Sequence, residues 1–506
     1  RNRLTSCPEP LIQLCNIQEL GLSENNFKSL PNWLSRLSQL RKLGLANTRL
    51  LEVPEWIGSL AELRDLYLGE EEGSIGRWGF STTRSSNRLI SLPNSLCQLT
   101  KLETLNLEGN LIPDLPTEFY KFEHLISINL DGNPLNSDLD AAYKQGIASV
   151  MQYLKARAVG EISLNEAKLI LVGEGEVGKS CLLGALREDA WVDSRPTTHG
   201  IEIKPVLLNA SDNSAEITLN GWDFGGQRVY RPTHQLFFSA TAVYLVVWKP
   251  REGPQQGFVK EWITLIKHRE PDARVLIVAT HGGPGQRQPD IDRQELIDLF
   301  SEETVLGFHY VDSKTGKGID KLRETIGKVA ANLPGMGRLV PTKWQEVRKL
   351  LEETGNTHMR YDDVIAICEE QGLEGFAAEL FVRVSHTLGY LIHYYYDPIL
   401  KDIVILKPDW LAKAISFVLD DEETRKNNGL VKFERLSHLW SHPPFAGEIG
   451  YPKELHPIFL KLMERFDLSY KVVLDPASPG ASDTSLIAQL VSDNRPNRLP
   501  DWEEQP

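Results

Sequence analysis

The chain has 506 residues, a formal net charge of −14, and 41% hydrophobic residues. A chain of this length can bury more than one hydrophobic core, so we expect two to four domains. The acidic balance argues against nucleic acid or an anionic membrane surface as a partner, because both are bound through clustered Lys and Arg. The longest apolar run, ATAVYLVVW at 240–248, is far shorter than a membrane span and predicts a buried strand.

The cysteines predict a reducing compartment. There are five, and their spacing matches neither a zinc site nor a disulfide framework. We therefore expect a cytoplasmic protein. The chain begins at Arg1, inside a repeating pattern and without Met. This leaves open whether it is a fragment of a longer protein, and its targeting cannot be inferred.

The first third of the sequence is a repeat. Leucines recur 23 residues apart at Leu20, Leu43 and Leu66, and the pattern returns at Leu105 and Ile128 after an inserted segment. This period is typical of leucine-rich repeats. Stacked repeats would form a solenoid with a curved sheet, whose outward positions could bind a protein partner that the sequence does not identify. The alternative, in which this face only solvates the solenoid, is equally open.

The repeat ends near residue 137. Residues 138–160 have helical spacing, with Ile147, Val150 and Leu154 on one side. This pattern predicts a helix that caps the solenoid and links it to the next domain.

Residues 173–180, GEGEVGKS, match the phosphate-binding loop motif. The apolar run AKLILVG precedes the motif and helical spacing follows it, which argues against a chance match. In such a loop the backbone N–H groups surround phosphate oxygens, Lys179 reaches the outer phosphates, and the Ser180 hydroxyl binds Mg²⁺. We expect a nucleotide to be held here by Gly173, Gly175, Glu176, Val177, Gly178, Lys179, Ser180 and Cys181.

A second phosphate-sensing element follows in NGWDFGGQRVY. Asp223 and Gly226 form D-x-x-G, which would place a carboxylate near Mg²⁺ and a glycine N–H near a terminal phosphate. Gln227 comes next and is predicted to be catalytic by orienting the attacking water. Thr198, between the two motifs, could give Mg²⁺ a second hydroxyl. The predicted metal ligands are therefore Ser180, Thr198 and Asp223.

Apolar runs alternate with helix-like segments through the whole of 161–333. The runs are KLILVG, IEIKPVLL, EITLNGWDF, AVYLVVW and RVLIVAT. This alternation predicts a parallel α/β sheet that binds ligands at the carboxyl ends of its strands.

The order of GEGEVGKS, TTHG, WDFGGQ, ATHGG and DSKTGKG resembles that in Ras-like GTPases. With the repeats in front, it resembles the Roco family, in which a Roc GTPase domain precedes a COR domain. The segments 340–353 and 388–419 resemble the start of COR and its winged-helix-like hairpin. Because no kinase signature is present, the resemblance is closest to bacterial Roco proteins.

The resemblance implies a multidomain fold: a leucine-rich-repeat solenoid, a Ras-like α/β P-loop GTPase domain, and an α+β COR domain with a winged-helix-like part. It also implies Mg²⁺ with GTP or GDP, and a homodimer formed through COR and Roc. The expected divisions are 1–137 for the repeats, 138–160 for the capping helix, 161–333 for Roc, 334–450 for the first COR subdomain, and 451–506 for a second, incomplete one.

The resemblance also implies a base site formed by Thr280, His281, Ser313 and Lys314, with Lys314 along the base. The sequence departs from the family at Gly283, where a Roc domain has the Asp that binds guanine. Asp290 or Asp292 could replace that carboxylate, or selectivity could rest on Lys314 and backbone groups. Hydrolysis of an adenine nucleotide therefore stays as a minor alternative.

Hydrolysis also raises the question of an arginine finger, which contributes about 10³ to 10⁵ in rate. Arg228, Arg231 and Arg251 lie near or after the second motif. We interpret each as an ordinary surface or switch residue, and a homodimer would allow an arginine to act in trans. The main hypothesis is a GTPase switch, and the alternative is a scaffold that binds a nucleotide without turnover.

A winged helix often binds DNA, but the acidic balance and the lack of a basic recognition helix argue against this here. We interpret the tyrosines at 394–396 as packing in a core or a domain interface.

Overall fold

The computed structural model describes residues 4–14, 16–69, 87–193, 200–209, 216–226, 231–250, 258–281, 291–443, 450–472 and 482–491. The chain divides into two compact units. The first comprises Arg1–Ser163, Leu339–Leu350 and Ile365–Phe381, and the second comprises Leu164–Arg338, Leu351–Val364 and Val382–Pro506. Within the described ranges, no helix has the length and apolarity needed to cross a bilayer.

The first unit begins with a parallel sheet of five short strands stacked in chain order. Each strand buries its central residue, and Leu20 pairs with Leu43, which in turn pairs with Leu66. The strands are β1 Glu19–Gly21, β2 Lys42–Gly44, β3 Asp65–Tyr67, β4 Thr104–Asn106 and β5 Ser127–Asn129. The 3₁₀ helices are Glu9–Gln13, Asn32–Arg36, Glu55–Ser59, Asn94–Gln98 and Thr117–Lys121. The assignment of this stack to leucine-rich repeats stays a prediction.

Buried amide side chains join successive turns of the stack. The Asn87 amide donates to the carbonyls of Leu45 and Leu68 at 2.8 Å each, and its side-chain oxygen accepts from Thr48 N at 2.9 Å. Backbone polar groups that are buried need such partners. The predicted insertion falls largely on residues 70–86, outside the described residues, and the stack resumes at Asn87.

Two helices follow the stack, α1 Ser137–Gln145 and α2 Ile147–Ala158, where the sequence predicted one. Gly146 lies between them with φ +112°, a conformation that glycine adopts without strain and that interrupts a helix. The Arg157 guanidinium is buried at the end of α2 and pairs with Asp114 at 2.9 Å and with Glu161. The pair with Asp114 holds α2 against the end of the strand stack.

The second unit is built on a six-stranded sheet in the order β12-β11-β10-β7-β9-β8. After β6 Glu161–Leu164, its strands are β7 Glu166–Val172, β8 Ile201–Asn209, β9 Glu216–Phe224, β10 Ala242–Trp248, β11 Arg274–Ala279 and β12 Val305–Tyr310. The sheet is parallel as predicted except that β8 runs antiparallel to β9. Only residues 210–215 separate these two strands, too few for the crossover helix that parallel neighbours require.

Helices cover both faces of this sheet. They are α3 Lys179–Leu186, α4 Arg231–His234, α5 Val259–Arg269, α6 Arg293–Phe300 and α7 Ile319–Ala331. One face packs Leu169 and Leu171 against Leu182 of α3 and Ile326 of α7. The opposite face carries a second, larger hydrophobic core, which also includes residues of the carboxyl-terminal helices.

The carboxyl-terminal part of the chain is mainly helical. Its elements are β13 Arg338–Pro341, α8 Lys343–Glu353, β14 His358–Arg360, α9 Tyr361–Glu370, α10 Phe376–Leu388, β15 Ile403–Ile405, α11 Pro408–Asp420, α12 Glu422–Lys426, β16 Leu430–Lys432, α13 Phe433–Ser441, α14 His456–Arg465, β17 Ser469–Val472 and β18 Thr484–Ile487. Strand β15 pairs antiparallel with β14, and the expected hairpin is reduced to one bridge between Ile392 and Ile405. The tyrosine cluster is only partly packed, since Tyr395 and Tyr396 are 46% and 79% exposed.

The turn after α10 lies directly on the sheet. Gly389 has φ +81°, and a Cβ there would lie 2.4 Å from Cζ2 of Trp222 and 2.7 Å from Cε of Lys168. The Asn220 amide donates to the carbonyl of Leu388 at 3.2 Å. The backbone of this turn therefore touches β7 and β9 at a point where no larger residue fits.

Lys168 predicts a pH dependence of stability. Burial lowers the pKa of Lys168 to about 7 from its ordinary value of 10.5, although the charge of Glu270 opposes this shift. Between these pH values the unfolded chain holds a proton that the folded chain has released, so the free energy of unfolding rises with pH, by up to about 1.4 kcal/mol per unit. We expect urea unfolding midpoints to be higher at pH 9 than at pH 7.

The matched comparison is Lys168→Met against Lys328→Met, since Lys328 is an exposed lysine on α7. Lys168→Met should flatten the rise between pH 7 and pH 9, and Lys328→Met should leave it unchanged. An equal slope in wild type and Lys168→Met would contradict the prediction.

Candidate nucleotide-binding site

The phosphate loop motif forms the turn between β7 and α3. Gly173 has φ +146°, and a Cβ there would lie 2.1 Å from the carbonyl oxygen of Val247. Gly178 has φ +91° and caps the start of α3 at Lys179. Both glycines are needed because a side chain would clash at the first and be strained at the second. Gly175 and Glu176 are exposed at the tip, Val177 is buried, and Ser180 and Cys181 lie in the first turn of α3.

Lys179 is buried and bends back over the loop. Its Nζ donates to the carbonyls of Gly173 and Glu174 at 2.8 Å each. Burial lowers the pKa of Lys179 to about 8, against the opposing charges of Asp223 and Glu174. The loop therefore holds a cation within itself, which suits an anionic ligand.

The D-x-x-G segment packs against this loop. Asp223 is buried near the carboxyl end of β9, paired in parallel with Leu171 of β7. A Cβ at Gly226 would lie 2.6 Å from each of Lys179 Nζ, the Gly175 Cα and the Glu174 carbonyl oxygen. The two motifs, 43 residues or more apart in the sequence, thus meet at one edge of the sheet, where Gly226 leaves no room for a side chain.

Several predicted positions lie outside the described residues. These are the catalytic candidate Gln227, the switch and metal candidate Thr198, and Gly283 with Asp290. Asp292 is described, and its carboxylate accepts from Glu295 N at 3.0 Å as the N-cap of α6. This role weakens the alternative in which Asp292 binds a base.

The expected base side is formed by loops after β11 and β12, which end side by side. The Thr280 hydroxyl donates to the carbonyl of Val177 at 2.7 Å, which fixes this loop to the phosphate loop. His281 is exposed with φ +60°, and its Nδ1 lies 3.0 Å from the Thr280 hydroxyl. The Ser313 hydroxyl is buried and has no hydrogen-bond partner among the described residues, so it is available to a ligand.

Lys314 lies beside Trp191, a residue that the sequence analysis did not predict to be part of the site. Its Nζ lies 3.1 Å from a carboxylate oxygen of Asp193 and 5.7 Å from the ring centroid of Trp191. The Trp191 indole N–H donates to the same carboxylate at 2.8 Å, and Trp191 is 39% exposed. An exposed tryptophan beside a cation could stack on a flat ring. The only sequence signal is the WVD segment that precedes Thr198.

The predicted Mg²⁺ ligands are chemically suitable where they are described. Ser180 and Asp223 offer a hydroxyl and a carboxylate, and Mg²⁺ prefers oxygen ligands. Across the described ranges, no three or more His, Cys, Asp or Glu side chains gather as a metal site. Ser180 and Asp223 alone fit an Mg²⁺ that takes its remaining oxygens from phosphates and water.

Of the three candidate arginines, Arg228 and Arg251 fall in ranges that are not described. Arg231 begins α4 and forms an ion pair with Glu174 of the phosphate loop. Sequence analysis did not predict this pair.

Two protein-family models match separate parts of this chain. The family model "Ras of Complex, Roc, domain of DAPkinase" matches residues 168–282. The model "C-terminal of Roc, COR-A domain" matches residues 341–491. A solved structure of Methanosarcina barkeri Roco2 RocCORdC bound to GDP has a TM-score of 0.56 and 26% identity, covering 66% of this chain and 98% of that chain.

Two curated relatives match about three quarters of this chain. The probable serine/threonine-protein kinase pats1 of Dictyostelium discoideum is 29% identical over 427 residues, which are 78% of this chain and 13% of that protein. A Roc-COR-CHAT protease from an unknown prokaryotic organism is 28% identical over 406 residues, or 74% and 36% of the two chains. This chain therefore spans about a third or less of these relatives. With a Roc domain followed by a COR-A domain, it belongs to the Roco proteins.

Proposed function

We propose that this chain is a GTP-binding molecular switch that hydrolyses GTP and couples the nucleotide state to its COR domain. The observation that supports this most directly is the packing of Gly226 against Lys179 and Gly175. It brings a phosphate loop and a D-x-x-G segment to one edge of a parallel sheet. That arrangement suits a site that distinguishes a triphosphate from a diphosphate.

The proposed roles follow from the chemistry of each group. The loop N–H groups and Lys179 bind the phosphates, and Ser180 and Asp223 would hold Mg²⁺, with Thr198 as a further ligand in the triphosphate state. Mg²⁺, when bound, neutralises charge on the phosphate oxygens. The Gly226 N–H contacts the terminal phosphate and Gln227 orients the attacking water.

The wider assembly is part of the same proposal. Two chains would form a homodimer through COR and Roc, and one chain could supply an arginine to the other. The amino-terminal stack is interpreted as leucine-rich repeats that bind a protein partner. Strand β9 and the turn at Gly389 provide a contact through which a change at Asp223 could reach the COR-A domain.

A scaffold that binds a nucleotide with negligible turnover is the second candidate. One specific observation favours it. The described candidate for an arginine finger, Arg231, is already engaged by Glu174. Without an arginine, an intrinsic Ras-like site is slow.

Single-turnover hydrolysis of GTP and of ATP, over a series of protein concentrations, tests the proposal. We expect GTP to be hydrolysed in preference to ATP, and the activity to be absent in Lys179→Ala. A rate that rises with protein concentration would support catalysis across a dimer. Tight binding without turnover would favour the scaffold, and equal use of ATP would contradict guanine selectivity.

A further inference from the structure

The phosphate loop contains Glu174, whose negative charge would repel the phosphate groups of a nucleotide. Glu174 lies between Gly173 and Gly175, and its side chain is 12% exposed. Its backbone carbonyl accepts from Lys179, so this residue is part of the phosphate-binding wall. A buried carboxylate near phosphate oxygens repels them unless its charge is compensated.

Arg231 and Trp262 compensate this charge. One Glu174 carboxylate oxygen accepts from the Arg231 guanidinium and also from the Trp262 indole N–H at 3.2 Å. The guanidinium carbon lies 4.4 Å from the ring centroid of Phe258 and 5.4 Å from that of Trp262. Aromatic faces on the guanidinium restrict its orientation and strengthen its hold on the carboxylate.

The neighbouring His234 adds no charge to the Glu174–Arg231 pair. His234, in the same helix as Arg231, is buried and stacks on Trp262 at 5.3 Å. Burial, together with the charges of Lys179 and Arg231, lowers the pKa of His234 to about 3, so that His234 is neutral. Among the described residues, Arg231 is therefore the cation that contacts the Glu174 carboxylate, whereas Lys179 contacts the Glu174 backbone carbonyl.

We propose that Arg231 is a positioning residue for the phosphate site, which neutralises Glu174 and ties the segment after D-x-x-G to the phosphate loop. This inference rests on the proposed function, since the nucleotide phosphates are the anions that Glu174 would repel. Nucleotide affinity then depends on the pair, and loss of both residues harms binding less than loss of Arg231 alone.

The proposal is distinct from an arginine finger. A finger must leave Glu174 to reach the transferring phosphate, which would leave this largely buried carboxylate with the Trp262 N–H but without the Arg231 charge. A neutralising arginine stays on Glu174 in both nucleotide states. The first role affects the rate of hydrolysis, and the second affects the affinity for GDP as well as for GTP.

The test is a double-mutant cycle of Arg231→Ala, Glu174→Ala and the double variant, read out as the Kd of a fluorescent GDP analogue. Arg231→Ala should weaken binding by about tenfold or more. The double variant should return to within about twofold of the Glu174→Ala protein. Arg231→Lys, which keeps the charge but not the planar fork, should recover part of the loss.

Arg435→Ala is the matched control. Arg435 lies in α13 and pairs with the buried Asp421 at 2.6 Å, so its removal breaks a similar arginine–carboxylate pair away from the phosphate loop. It should leave the Kd unchanged. A double variant as weak as Arg231→Ala would show that Arg231 contacts the nucleotide itself. Normal GDP affinity with lost turnover in Arg231→Ala would identify a finger. Either result overturns the proposal.

Thermal unfolding of the same variants without nucleotide separates this inference from the proposed function. Arg231→Ala should lower Tm by about 5 °C, and the double variant should lower it by less, because no unpaired carboxylate remains. If the Tm losses of the two single variants add up in the double variant, Arg231 does not neutralise Glu174, and the inference fails even if the protein binds GTP. If wild type binds neither GDP nor GTP, the proposed function fails, and so does a role for the pair in phosphate binding, whatever the melting data show.

Discussion

Replacing Lys179 by alanine is expected to weaken the binding of GDP and GTP by a factor of about 100 or more. The buried Nζ is the cation that the loop holds beside Gly226, and charged hydrogen bonds to phosphates contribute about 3 kcal/mol in total. The variant also removes the donor to the carbonyls of Gly173 and Glu174. Titration of a fluorescent GDP analogue measures the loss directly.

The control for this prediction is Lys328→Ala, which removes an exposed lysine of α7 and should leave the affinity unchanged. Thermal unfolding without nucleotide checks the fold. Because burial of a charge at Lys179 is costly, the alanine variant should melt within a few degrees of wild type or above it. A Kd within tenfold of the wild-type value would refute the assignment of this loop as the phosphate site.

Replacing Gly389 by valine should lower the free energy of unfolding of the second unit by about 4 kcal/mol. A non-glycine residue at φ +81° costs about 1 to 2 kcal/mol, and forcing side-chain carbons against Trp222 and Lys168 costs about 1 to 3 kcal/mol more. Urea unfolding followed by circular dichroism measures the change.

Gly355→Val separates the two causes. Gly355 has φ +67°, and a Cβ there would meet nothing within 4 Å. This variant should show the backbone strain without the clash, and therefore about half of the loss or less. Equal losses in the two variants would show that the contact with Trp222 contributes little.

The elements that could be predicted are those whose signal is local. The phosphate loop is specified by glycines within a few residues of each other, and the structure places Gly173 and Gly178 where positive φ values are required. The 23-residue period predicted evenly paired strands. Strands β1 to β3 pair at that spacing before the insertion, and β4 and β5 pair at it afterwards. In each case the residues that carry the pattern are also the residues that form the contact.

The contacts that could not be predicted join distant parts of the sequence. Nothing adjacent to Glu174 indicates that Arg231 would neutralise it, or that Trp191 would lie beside Lys314. Gly389 lies in the segment 388–419 that resembles a COR domain, but its requirement for glycine comes from the Trp222 ring of β9. Such pairings depend on tertiary packing and produce no periodic pattern in the sequence from which they could be predicted.

The amide of Asn87 has a consequence for how this protein can change in length. Asn87 is the first described residue after residues 70–86, and its side chain satisfies carbonyls of two earlier turns, Leu45 and Leu68. These hydrogen bonds join Asn87 to the described turns before residues 70–86 without using any residue of that interval. Insertions and deletions in this interval would be tolerated during evolution, and an affinity tag or fluorescent label placed there should leave the strand pairing on either side intact.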